Sequence, residues 1–129
     1  MSFILVPKHG EDVQINAWNW RPTLELLLEE NLISHENYER MGAQGVGGHV
    51  DAETADRIAY VIERILMTMK SGERMLPDLT FTAKPKTKWV ITPETKPDEL
   101  DPVDFYSASY EWLVTFAEFC RRSGGFEIW

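Results

Sequence analysis

A single cysteine, Cys120, is all that this chain of 129 residues contains. No disulfide can form within the chain, and a reducing compartment is the natural setting. Basic residues are scarce too. Thirteen Lys and Arg stand against 21 Asp and Glu, for a formal net charge of −8. A field of that sign repels nucleic-acid phosphates and anionic lipid, so neither is expected as a partner, and it favours basic proteins. Long hydrophobic runs are missing as well, and nothing approaches the roughly 20 apolar residues that span a bilayer. The opening run Phe3-Ile4-Leu5-Val6 breaks at Pro7 and has no basic stretch before it, unlike a secretory leader. The expectation is a cytoplasmic protein.

Catalytic signatures are also lacking. There is no G-x-S-x-G elbow, and neither Ser107 nor Ser123 has a base nearby in sequence. Cys120 stands beside Phe116 and Phe119 at a core-facing helical position, where a thiol behaves as a small hydrophobe. The run from Cys120 to Gly125 does not have the cysteine-to-arginine spacing of thiol phosphatases. Histidine pairs with acids at His35 and Glu39, at His49 and Asp51, and at His9 beside Glu11 and Asp12. Zinc needs three or four converging ligands, and no H-E-x-x-H or paired-cysteine motif supplies them. No metal and no cofactor is expected.

What is present is a core. Apolar residues make up 43% of the chain and aromatics 12%, with five Trp, which fits one packed domain over residues 1–129 and argues against disorder. Val13 and Ile15 alternate with Gln14 and Asn16 after a polar turn, predicting a β-hairpin over residues 3–17. Pro22 at a first helical turn and the stripe Leu24, Leu27, Leu28 and Leu32 predict a helix over 21–32. Ser34 caps a short helix at 35–41, with Gly42 ending it in the left-handed conformation.

Asp51 is a strong N-cap for the helix 52–70. Its buried stripe runs through Ala55, Ile58, Ala59, Ile62, Ile65, Leu66 and Met69, and Glu53 and Arg57 form an i, i+4 pair outside. From Leu79 to Thr92 the period becomes two, interrupted at Pro85, which predicts an edge strand or two short ones. An acidic, proline-rich connector over 93–104 overlaps the start of a helix over 103–123, begun by Asp101 and Pro102 and ended by Gly124-Gly125. Residues 126–129 return as a strand. The fold class is therefore α+β: a small, mostly antiparallel sheet from 3–17, 79–92 and 126–129 against three main helices.

Four of the eight glycines fall at Gly42, Gly45, Gly47 and Gly48, just ahead of the Asp51 cap. Backbone amides before a helix N-terminus suit an anion. Yet Gly48-His49 stands where a phosphate-binding loop carries lysine and a hydroxyl, and Asp51, Glu53 and Asp56 repel phosphate. The plainer reading is a demanding joint between helices, with Gly45, Gly47, Gly48 and His49 as the residues of any ligand site.

Lys84, Lys86 and Lys88 form a basic strand face that also serves to protect a sheet edge. Trp18 and Trp20 share one face if the hairpin strand continues through them, which makes them candidates for an interaction surface. Three functions follow. The first is a non-enzymatic interaction or regulatory module for a basic partner, of immunity or antitoxin character. The second is a ligand-binding protein or enzyme using the glycine loop, His49 and Arg121 or Arg122. The third is a subunit of a homo-oligomer.

Overall fold

The computed structural model describes residues 2–84 and 106–129. Two strands, β1 (Ser2–Pro7) and β2 (Val13–Asn16), form the N-terminal hairpin. They are followed by helices α1 (Ala17–Glu29) and α2 (His35–Met41), strand β3 (Gly48–Asp51) and helix α3 (Ala52–Thr68). Short strands β4 (Arg74–Met75), β5 (Phe81–Thr82) and β6 (Ala108–Ser109) precede helix α4 (Tyr110–Ser123) and strand β7 (Gly125–Ile128). The α+β class holds. The strands, however, divide into two antiparallel sheets, ordered β2-β1-β7-β3 and β5-β4-β6.

In the four-stranded sheet, alternation sorts the residues. Phe3, Leu5, Ile15, Val50, Phe126 and Ile128 are buried on one face, where Trp20 of α1 meets Phe3 and Phe116 of α4 meets Phe126. α3 lies beside α4 and against β7, burying Ala55, Ile58, Ala59 and Ile62. Ile4, Gln14, His49 and Glu127 fall on the opposite face and are exposed.

Three local predictions need correction. α1 begins at Ala17, not residue 21, because the Asn16 carboxamide oxygen accepts the Asn19 amide at 2.9 Å. Pro22 thus lies inside the helix. The helix stops at Glu29, short of 32, and Asn31 turns left-handed at φ 55°. The last helix begins at Tyr110, not 103. Ser109 is its cap, accepting from the Trp112 amide at 3.0 Å, and the strand pairing of Ala108 and Ser109 with β4 forbids a helix there. Gly42 is right-handed (φ −89°), and the left-handed residues of the joint are Gly45 and Gly47.

Of the strand predicted over 79–92, Phe81 and Thr82 form β5 in the second sheet, and residues 85–92 lie outside the described residues, as do Lys86, Lys88 and the 93–104 connector. Met69 caps α3 near the expected stop, and Asp51 caps its start by accepting the Thr54 amide at 2.8 Å.

Two polar contacts in and around the core join residues some 90 apart in sequence. Thr23 donates to the Asn19 carbonyl at 2.8 Å and accepts from the Trp112 indole at 2.9 Å. Asn19 in turn accepts the Ser109 amide at 2.9 Å, tying α1 to β6.

Between α1 and α2, the Tyr38 hydroxyl donates to the Glu25 carboxylate. That bond, with partial burial and the Glu25 charge, pushes the phenol from its ordinary 10.0 up to about 12. The folded state therefore holds the Tyr38 proton more tightly than the unfolded chain. This contribution is complete below pH 10 and is lost as pH rises from 10 towards 12. Melting curves across that range should show a steeper fall for the native protein than for Tyr38→Phe; equal slopes would refute the coupling.

Candidate functional site

The glycine joint carries the chain from α2 to the edge strand β3. Gly45 (φ +78°) and Gly47 (φ +87°) supply its left-handed turns. Gly48 and His49, expected to finish a loop, belong to β3 and pair with Ile128 and Glu127. The amides of the joint do not converge on an anion. The Gly45 N–H donates to the Trp129 carbonyl at 3.1 Å, and the His49 N–H to the Asn37 side-chain oxygen at 3.4 Å. At the start of α3 the Asp51 carboxylate already occupies the capping position, and its bonds to Thr54 hold it below the usual carboxylate range.

The Asn37 carboxamide does more than accept from His49. Its NH₂ donates to the His49 carbonyl at 2.8 Å, so one side chain satisfies both outward backbone groups of that residue. Arg40 donates to the Gly47 carbonyl at 2.9 Å. α2 thereby covers the β3 edge, which is otherwise a template for another strand.

His49 stands on the open face of the sheet in a row with Glu127 and Val6. Two depressions meet at His49 and Glu127. One, of about 560 Å³, is bounded by Lys8, Asp51 and Gly125; the other, of about 400 Å³, by Arg40, Val46, Gly47 and Trp129. Gly47, Gly48 and His49 thus share one depression, whereas Gly45 is not in its wall. Arg121 and Arg122 do not join them. Arg121 grips Glu63 of α3 with two 3.0 Å bonds, and Arg122 donates to the Glu11 carbonyl at 3.0 Å and lies over the Phe119 ring.

No shared strand face unites Trp18 and Trp20, because both lie in the first turn of α1. Trp20 is wholly buried, its indole N–H donating to the Met41 carbonyl at 2.9 Å, and this removes it from any surface. Trp18 is 38% exposed and packs on Tyr106 at 4.6 Å. Cys120 is buried, and desolvation pushes its thiol far up, the reverse of an activated nucleophile. Among the described residues no group of three or more His, Cys, Asp or Glu is placed to hold a metal ion. Among the described residues no helix is long and apolar enough to cross a membrane.

A second surface was not singled out by the sequence. On the outer side of α3, Tyr60 and Val61 join two successive depressions of about 440 and 370 Å³. Leu32 and Ile65 extend the apolar lining, and Glu30, Glu53 and Asp56 stand with Arg57 and Arg64 around it. Arg57 reaches Glu53 at 3.3 Å, and Arg64 lies over the Tyr60 ring at 5.7 Å. The signal was available in part, since residues 53, 56, 57, 60, 61 and 64 recur at helical spacing. Leu32, which completes the groove, comes from the turn between α1 and α2. Comparison with protein-family models, curated proteins and solved structures finds no match for this chain.

Proposed function

We propose that this protein is a non-enzymatic interaction module whose groove on α3 receives a basic segment of a partner protein. The observation that supports this most is the make-up of the groove. Leu32, Val61 and Ile65 give it an apolar lining, Tyr60 stands exposed beside it, and three acids face two bases around it. The net charge of −8 supplies long-range attraction and speeds encounter, while burial in the groove supplies affinity. Tyr60 and Arg64 are of the residue types that dominate interface energies. Neutralising a basic partner, as an immunity or regulatory protein does, is the form of action this surface suits.

The probe is a synthetic amphipathic helical peptide of leucine and lysine, followed by amide chemical-shift mapping. Shifts should centre on Leu32, Tyr60, Val61 and Ile65, and binding should weaken steeply with salt as screening shortens the field. Tyr60→Ala should lower affinity about tenfold, equivalent to about 1.4 kcal/mol. Absence of binding at low salt overturns the proposal. So do shifts confined to His49, Asp51 and Glu127, which would favour the sheet depression instead.

A further inference from the structure

We propose that the open face of the four-stranded sheet is a weak self-association surface, on which a second copy of this chain docks face to face. The occupant follows from charge. The chain carries −8 overall, so two copies repel each other over most orientations. The strands of this face differ. Outward side chains include Lys8 against Asp51 across Gly125, and Glu127 beside His49, with Arg40 at the rim. Two bases and two acids balance, and the remaining outward residues, Ser2, Ile4, Val6, Gln14 and Asn16, are uncharged.

A two-fold contact sets one patch against itself, so a patch without net charge avoids like-charge repulsion there. A basic partner, by contrast, gains nothing from a neutral surface.

The apolar content is concentrated here as well. Ile4, Val46 and Trp129, exposed by 40%, 48% and 47%, are three of the six exposed large hydrophobic side chains among the described residues. The Trp129 ring lies against Gly47, and its indole N–H donates to the Glu127 carboxylate at 3.3 Å. The Trp129 backbone amide donates to the Ile4 carbonyl at 2.9 Å, and its ring would lie 3.0 Å from a Cβ at Gly47. An indole so held loses little entropy on burial, which suits an anchor. Asn37 and Arg40 cover the β3 edge, so pairing strand to strand is blocked at that side of the sheet.

Strands about 4.8 Å apart and four to six residues long give a face of roughly 300 Å². That is well under the ~800 Å² per partner of a standard interface, so the contact is of the weak, transient kind.

Sedimentation velocity on the native chain from about 10 μM to 1 mM tests this. Dimer should appear with concentration and increase several-fold as salt screens the net charge. The peptide bound at α3 responds to salt in the opposite sense, so the two surfaces are told apart by one titration. Ile4→Lys, at an exposed position, should abolish the dimer, and Trp129→Ser should weaken it at least tenfold, while Tyr60→Ala leaves it unchanged. Melting curves confirm that each variant is folded. A monomer at 1 mM in high salt overturns the proposal, as does a dimer that survives both sheet-face variants.

Discussion

Replacing Trp20 by alanine is expected to destabilise the fold by about 3–5 kcal/mol, the range for losing a large buried aromatic ring. The ring is wholly buried where three elements meet. It stands edge-on to Phe116 at 5.5 Å and to Trp112 at 6.4 Å, and Phe3 of β1 lies 6.4 Å away. Its N–H also satisfies the Met41 carbonyl at the end of α2, so alanine leaves that acceptor unpaired. Trp20→Phe keeps most of the apolar contact and loses the hydrogen bond, for roughly 1–3 kcal/mol. Urea titration should rank native, Phe and Ala in that order, with a melting temperature some 10–20 °C lower for Ala. Trp18→Ala, at a half-exposed ring, should cost about 1 kcal/mol. Equal losses at the two positions would contradict the burial of Trp20.

The contrast between these neighbouring tryptophans shows how much was legible. Ser34 and Asp51 cap their helices as expected, because a cap depends on an amide three residues ahead and needs no distant partner. The hairpin was legible from alternation, and β7 as a short strand after the Gly124-Gly125 stop. Asn16 is also a cap, but Val13 to Asn16 alternates like a strand, and extending that pattern sent Trp18 and Trp20 to one face.

Where an element began therefore decided what its side chains touched. β3 escaped notice for a different reason. Gly48-His49-Val50-Asp51 has little intrinsic strand preference and is held by pairing with residues 125–128. Ser109, assigned to the inside of a helix, is held outside it by Asn19, 90 residues away. His49 was legible as the end of the joint. Its row-mate Glu127 was not, because strand register is settled by tertiary packing.

Gly125→Ala is expected to destabilise the fold strongly for the addition of a single methyl. Gly125 has φ +105°, and a Cβ there would lie 2.9 Å from the Val50 carbonyl oxygen and 3.2 Å from the Ala52 nitrogen. Both are backbone atoms in the stretch joining β3 to α3, so neither can rotate away. Strain of about 1–3 kcal/mol for a side chain in that conformation adds to about 1–3 kcal/mol of overpacking.

Gly45→Ala is the proper control. Its φ of +78° is also left-handed, but no atom lies within 4 Å of the added Cβ, so about 1–2 kcal/mol of conformational strain remains alone. Gly47→Ala falls between them, since its Cβ would press on the Trp129 ring at 3.0 Å. Urea midpoints should follow the order Gly45, Gly47, Gly125 in rising loss, and a Gly45 variant as unstable as the Gly125 variant would reject packing as the cause. The same geometry accounts for the glycine cluster without a ligand. Gly47 makes room for Trp129, Gly48 for Met41, and Gly45 turns the chain between them. The joint is spent on closing α2 over the β3 edge, and that closure leaves Ile4, His49 and Glu127 exposed on the outward face of the sheet.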